Sequence, residues 1–180
     1  MEAIRIWWIG EGQARRGALE HVRLHVEAAF QVPSRILERP ARPAGTLDPR
    51  RRQHSSGRIL EWLLREGPGE GKVLGVTDVD LFIPILTFVF GEAQLGGRAA
   101  VVSTARLLDG AVRDERLLLE RLAKEAVHEL GHALGLVHCA VPECAMSRSA
   151  SVRDVDQKRG ALCRDCRSRL DDARRREGET

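Results

Sequence analysis

The alternation of apolar and polar positions divides the chain into strand-like and helix-like stretches. Ile4 to Ile9 is a short β-rich run closed by Gly10, which predicts a strand. From about Arg15 to Phe30, Leu19, Val22, Val26 and Ala29 recur at helical spacing and predict an amphipathic helix. Val32 to Leu37 reads as a second strand, and Pro40, Pro43, Gly45 and Pro49 punctuate a loop after it. Ser55 or Ser56 is placed to cap a helix carrying Ile59, Leu60, Leu63 and Leu64, which Gly67-Pro68-Gly69 stops. Lys72 to Thr77, Thr87 to Phe90 and Arg98 to Ser103 supply three more strands. The last two are joined by a turn containing Gly96-Gly97, too short for a parallel crossover, so they pair antiparallel. A long helix follows from about Arg113 to Leu134, burying Leu119, Leu122, Ala123, Ala126, Leu130, Ala133 and Leu134. This order predicts an α/β (α+β) fold: a twisted, mixed five-stranded sheet with helices packed on it and one antiparallel edge strand.

Composition narrows the function classes. With 180 residues, 43% hydrophobic and 31% charged, the chain is expected to form a single domain over 1–180. Sheet and helices would occupy 1–112, the long helix and its motif 113–138, and a further segment 139–180. The apolar run around Leu81 to Phe90 is broken by Pro84 and Thr87 and is too short to span a bilayer. Met1-Glu2 leads straight into Ile4 without a basic region, so no signal peptide is read and a cytoplasmic location is expected. A net charge of +3 argues against a dedicated nucleic-acid binder. Arg50-Arg51-Arg52 reads as solvated surface and Arg174-Arg175-Arg176 as a frayed tail. Thr77, Asp78 and Asp80 read as turn and capping residues at a strand end.

The chemistry concentrates at the end of the long helix, in His128-Glu129-Leu130-Gly131-His132-Ala133-Leu134-Gly135-Leu136-Val137-His138. Residues four apart share a helix face, so His128 and His132 can point at one ion. Gly135 can take the left-handed conformation that ends a helix and lets His138 return to the same ion. Three neutral imidazoles leave a fourth tetrahedral position for water, which is the arrangement of a catalytic zinc. Glu129 is placed to take a proton from that water. His21, His25 and His54 lack such a pattern and read as structural or exposed. The chain has no tyrosine, so oxyanion stabilisation falls on the metal and backbone donors.

Cys139, Cys144, Cys163 and Cys166 follow, and in a cytosolic chain they read as metal ligands rather than disulfides. Two pairs separated by a loop suit a tetrahedral structural zinc, whose charge Arg148, Arg164 and Arg167 could balance. An iron–sulfur cluster and free thiols are the alternatives.

HELGHALGLVHC, C-A-M at 144–146 and C-R-D-C at 163–166 together resemble the archaemetzincins of the metzincin clan. The resemblance implies a compact metzincin-type fold and two zinc ions. It places His128, His132 and His138 on the catalytic zinc, Glu129 as general base, and Cys139, Cys144, Cys163 and Cys166 on a structural zinc. It also places Met146 in a tight turn beneath the catalytic site. The edge strand bordering the cleft then corresponds to Thr87, Phe88, Val89, Phe90, Gly91, Glu92 and Ala93, which would bind an extended peptide by strand addition. Peptide-bond hydrolysis is the function expected, on a peptide or protein substrate and with no nucleic-acid or membrane partner. A zinc-stabilised peptide-binding protein, or a zinc ribonuclease, is the competing reading.

Overall fold

The computed structural model describes residues 3–13, 16–67, 69–108 and 114–178, with side chains as far as Arg176. The expected helix starts at Arg15 and Arg113, and Pro68, lie outside the described residues. Strand β1 (Ile4–Trp8) leads through α1 (Arg16–Phe30) to β2 (Ser34–Ile36). Then come β3 (Leu47–Asp48), β4 (Gln53–Ser55), α2 (Ser56–Glu66), β5 (Val73–Thr77), β6 (Leu81–Phe82), β7 (Gly91–Ala93) and β8 (Ala99–Ser103). The chain closes with α3 (Glu115–Ala133), α4 (Val152–Gln157) and α5 (Arg164–Gly178).

The main sheet has the order β2-β1-β5-β8-β7, parallel except for the antiparallel edge pair β8 and β7. Five strands and one antiparallel edge agree with the sequence pattern. The central strands β5 and β8 are buried at every position, because helices cover both faces. Alternate residues divide between the faces: Ile6, Leu74, Val76, Ala100 and Val102 pack with Val22, Val26, Leu122 and Ala126 of α1 and α3. Val73, Ala99 and Val101 pack with Ile59, Leu60 and Leu63 of α2 on the other side. Ser55 is the residue that caps α2, accepting from the Arg58 amide at 3.4 Å. Asp114 caps α3 through the Leu117 amide at 3.2 Å.

The edge strand departs from expectation. Pairing with β8 begins at Gly91, and Thr87 to Phe90 is not a strand. Val89 instead bridges back to Leu81, and the Phe88 and Phe90 rings pack edge-to-face with centroids 5.3 Å apart. The β-preference of these aromatic residues is satisfied by packing on their neighbours rather than by a ladder. Residues expected to be irregular also form a second, three-stranded sheet in the order β3-β4-β6. Arg174 does not lie in a frayed tail. It sits on α5 and donates to the Phe30 carbonyl at 2.7 Å, while Arg167 donates to the Ala29 carbonyl, so α5 satisfies the carbonyls at the end of α1.

Asp78 accepts from the amides of Glu11 and Gly12 at 2.8 and 2.9 Å, and Asp80 pairs bidentately with Arg106. Both serve the loops at the sheet's end. None of the described helices is long and apolar enough to cross a membrane.

Candidate active site and metal centres

The last two turns of α3 carry His128, Glu129 and His132 on a helix whose buried face continues through Ala126, Val127, Leu130 and Ala133. The helix stops at Gly135, which adopts φ 88°, with its amide bonded to the His132 carbonyl. An L side chain is strained in that conformation, so glycine permits the turn that brings His138 back. The three rings each offer a nitrogen, and those nitrogens lie within 4.8 Å of one another.

Hydrogen bonding fixes which nitrogens these are. His128 Nδ1 donates to the Ala145 carbonyl and His132 Nδ1 to the Leu136 carbonyl, both at 2.8 Å. A carbonyl only accepts, so both Nδ1 atoms carry the proton and both Nε2 atoms present lone pairs. Those two Nε2 atoms face each other at 3.1 Å. Two acceptors this close, with no hydrogen between them, fit a cation and little else. Burial lowers the pKa of all three rings below the ordinary histidine value. For His128 the drop is large, with the nearby Lys158 ammonium as the next cause, so the rings are neutral donors at neutral pH.

Glu129 is buried, and burial raises its carboxyl well above the ordinary range, with the neighbouring Glu125 carboxylate adding to the effect. The edge strand presses against it. A Cβ on Gly91 would lie 2.6 Å from Glu129 Cγ and 2.9 Å from its Oε1. Met146 lies beneath the helix, fully buried, where a Cβ on Gly131 would come within 2.3 Å of its Sδ. The Met146 carbonyl and Cys139 amide bond at 2.9 Å and close the turn.

A cleft of about 700 Å³ runs over these groups, lined by residues 86–93 on one side and by Val137, His138 and residues 148–150 on the other. The expected substrate segment therefore borders the cleft whole, from Thr87 to Ala93. In the antiparallel register, Gln94 pairs with Ala99 and Phe90 with Ser103 through ladder bonds. The amides and carbonyls of Gly91 and Ala93 consequently point away from β8, toward the open edge.

The four cysteine sulfurs gather within 4.8 Å of one another, and Cys139 Sγ lies 3.8 Å from Cys163 Sγ. Tetrahedral Zn–S bonds of about 2.3 Å place sulfurs about 3.8 Å apart. The amides of Val141, Met146 and Cys163 point at sulfurs, at 3.3 to 3.5 Å, as they do around thiolates. Burial pushes the Cys144 and Cys166 thiols up, whereas the Cys166 amide holds Cys163 down. Arg167, expected to balance this cluster, is turned to α1 instead.

A model of peptidase family M54 matches residues 70–172. The chain belongs to peptidase family M54. The archaemetzincin of Methanopyrus kandleri is 52% identical over 110 residues, which span 61% of each chain. The sequence match thus covers under two thirds of that relative. The Archaeoglobus fulgidus archaemetzincin is 48% identical over 120 residues, 67% of this chain and 70% of the relative. The crystal structure of the M. kandleri protein superposes with a TM-score of 0.86 at 36% identity, covering 96% of this chain and 95% of the other. The fold is therefore that of the M54 archaemetzincins, a family of zinc metallopeptidases.

Sequence reasoning missed the supports of this M54 site. Nothing in the pattern marks the Ala145 and Leu136 carbonyls, since backbone groups leave no residue signal. Lys158, buried beside His128 at 3.3 Å, had one faint signal: it is one of three lysines in a chain of 29 basic residues. His21 and His25 meet on α1 with tilted rings, centroids 4.2 Å apart, and belong to neither cluster. His54 bonds Thr46 Oγ1 at 2.8 Å.

Proposed function

We propose that this chain hydrolyses peptide bonds, with His128, His132 and His138 holding a catalytic zinc and Glu129 acting as general base. The observation that carries the reading is the pair of facing Nε2 lone pairs at 3.1 Å, one residue from a buried carboxylate and open to a cleft. Zinc bound there would polarise the scissile carbonyl and bring the acidity of a water ligand to about pH 7. Glu129 takes the proton of the attacking water and returns it to the departing amine, so the carboxylate is regenerated each turnover. Gly91 lets the edge strand approach the carboxylate, and the outward amides and carbonyls of Gly91 and Ala93 hold the peptide extended across it. The buried Met146 supports the helix from below.

We further propose that Cys139, Cys144, Cys163 and Cys166 bind a second, structural zinc, and that a reducing compartment such as the cytoplasm suits four thiols kept as ligands. The test is mass-spectrometric profiling of a diverse peptide library with zinc-loaded protein and its Glu129→Ala variant. Cleavage by the parent alone supports the reading. An intact library with both proteins, each holding two zinc ions, favours the peptide-binding alternative.

A further inference from the structure

The cleft ends in a buried charge pair that the chemistry above does not use. Glu125 precedes Glu129 by one turn of α3, a spacing that sets Cβ atoms about 6 Å apart. Its side chain is 3% exposed, and it lines the cleft beside Ser149 and Ala150. Oε1 accepts from the Lys158 ammonium at 2.8 Å and from the Ser149 hydroxyl at 3.2 Å. Neither contact uses Oε2. Lys158 itself is completely buried. Its neighbour two residues earlier, Asp156, pairs bidentately with Arg121 one turn before Glu125, so the end of α4 is clamped to α3.

Stability alone does not call for such a pair, because well-packed apolar residues of the same volume often serve as well or better. What the pair provides is a carboxylate that cannot turn away, fixed in a cleft whose other walls include Leu86, Phe88 and Phe90. Glu92 and Arg148 also line the cleft, and Glu92 Oε2 is buried without a hydrogen-bond partner.

We propose that Glu125 is a specificity-determining residue of this cleft, accepting a hydrogen bond from the substrate side chain next to the scissile bond. It selects side chains ending in an ammonium, guanidinium, carboxamide or hydroxyl over aliphatic ones of equal length. Lys158 and Ser149 are positioning residues for it. An aliphatic side chain would shut Oε2 away from water and leave it unpaired, and that loss is the source of the discrimination. The inference rests on the peptidase reading of the cleft.

The experiment measures Kd for three peptidyl hydroxamates on the zinc-loaded protein, carrying lysine, glutamine or norleucine at the varied position. A hydroxamate chelates the metal whether or not the protein cuts peptides, so the two readings are separated. The lysine and glutamine probes are expected to bind about tenfold or more tighter than norleucine. The E125L/K158M double variant removes both charges with little change of volume and should reverse that order, with zinc content measured alongside. S149A should narrow the preference several-fold. If the double variant does not fold or does not hold zinc, E125Q keeps the shape and must weaken binding of the lysine probe relative to the glutamine probe. Norleucine binding the parent as tightly as lysine, no binding by any probe, or an unchanged order in the variants would overturn the proposal. An uncut peptide library with the expected order intact would sink the peptidase reading and leave the acceptor standing.

Discussion

The histidine and cysteine clusters meet at adjacent residues, His138 and Cys139, yet they are built on opposite plans. Two of the three imidazoles stand on one helix, each locked by a carbonyl, and the group opens onto a cleft. The sulfurs come from two stretches of chain, 139–144 and 163–166, and line no part of that cleft. The first geometry is set by the helix and its carbonyls before any ion arrives. The second brings distant segments together, so an ion held there would act as a cross-link. Zinc at the histidines would find a site preorganised by ordinary packing, whereas zinc at the cysteines would supply the packing itself.

The largest expected effect breaks the cysteine side. The double variant C163S/C166S should lose one zinc and the cooperative unfolding of the C-terminal segment, because binding worth about 10–16 kcal/mol at such sites is folding free energy. Metal analysis and calorimetry check it. An unchanged unfolding midpoint would mean the cluster is no cross-link. Next, Glu129→Gln should lower kcat by about 10²–10⁴-fold, the usual contribution of a general base, while both zinc ions stay bound. Loss of a zinc would instead make Glu129 a structural residue.

Gly131→Ala sharpens the contrast. Its Cβ meets Met146 Sδ at 2.3 Å, and overpacking of this kind costs about 1–3 kcal/mol. Chelator competition should show weaker zinc affinity at the histidines and unaltered affinity at the cysteines.

The smallest effect is one of pH on metal-free protein. Glu129 has its carboxyl raised above 4.5 in the folded state, so the unfolded chain gives up that proton first. Stability from this group falls as pH rises above about 4.5. Glu129→Gln should therefore raise the midpoint at pH 7 and leave it unchanged near pH 4. His128 has the opposite sign: its lowered value costs stability as pH falls below about 6.5. Equal midpoints for Glu129→Gln and parent at every pH would place that carboxylate in contact with water.

The sequence made the sheet and the ligands legible for different reasons. β5 and β8 showed as runs of β-branched and aliphatic residues because their burial on both faces demands such residues at nearly every position, whereas β1 showed through the isoleucines and tryptophans of an alternately buried run. The histidines and Gly135 showed because helix geometry dictates their spacing. Gly91–Ala93 did not show as a strand, since its glycine is there to clear Glu129 and carries no strand preference. The short sheet of β3, β4 and β6 stayed hidden in strands of two or three residues, too brief for any period to register. Lys158 and Glu125 were invisible for a third reason: their pairing spans 33 residues and has no local pattern.

The bonds from Arg167 and Arg174 to the carbonyls of Ala29 and Phe30 impose an order on biosynthesis. Helix α1 leaves the ribosome early, but the groups that satisfy its last turn follow 138 and 144 residues later. At translation speeds of about 5–20 residues per second, those carbonyls wait roughly 7 to 30 seconds for their partners. For that interval the nascent chain can hold its first strands and helix together but cannot finish them. In this chain α5 seals the end of α1.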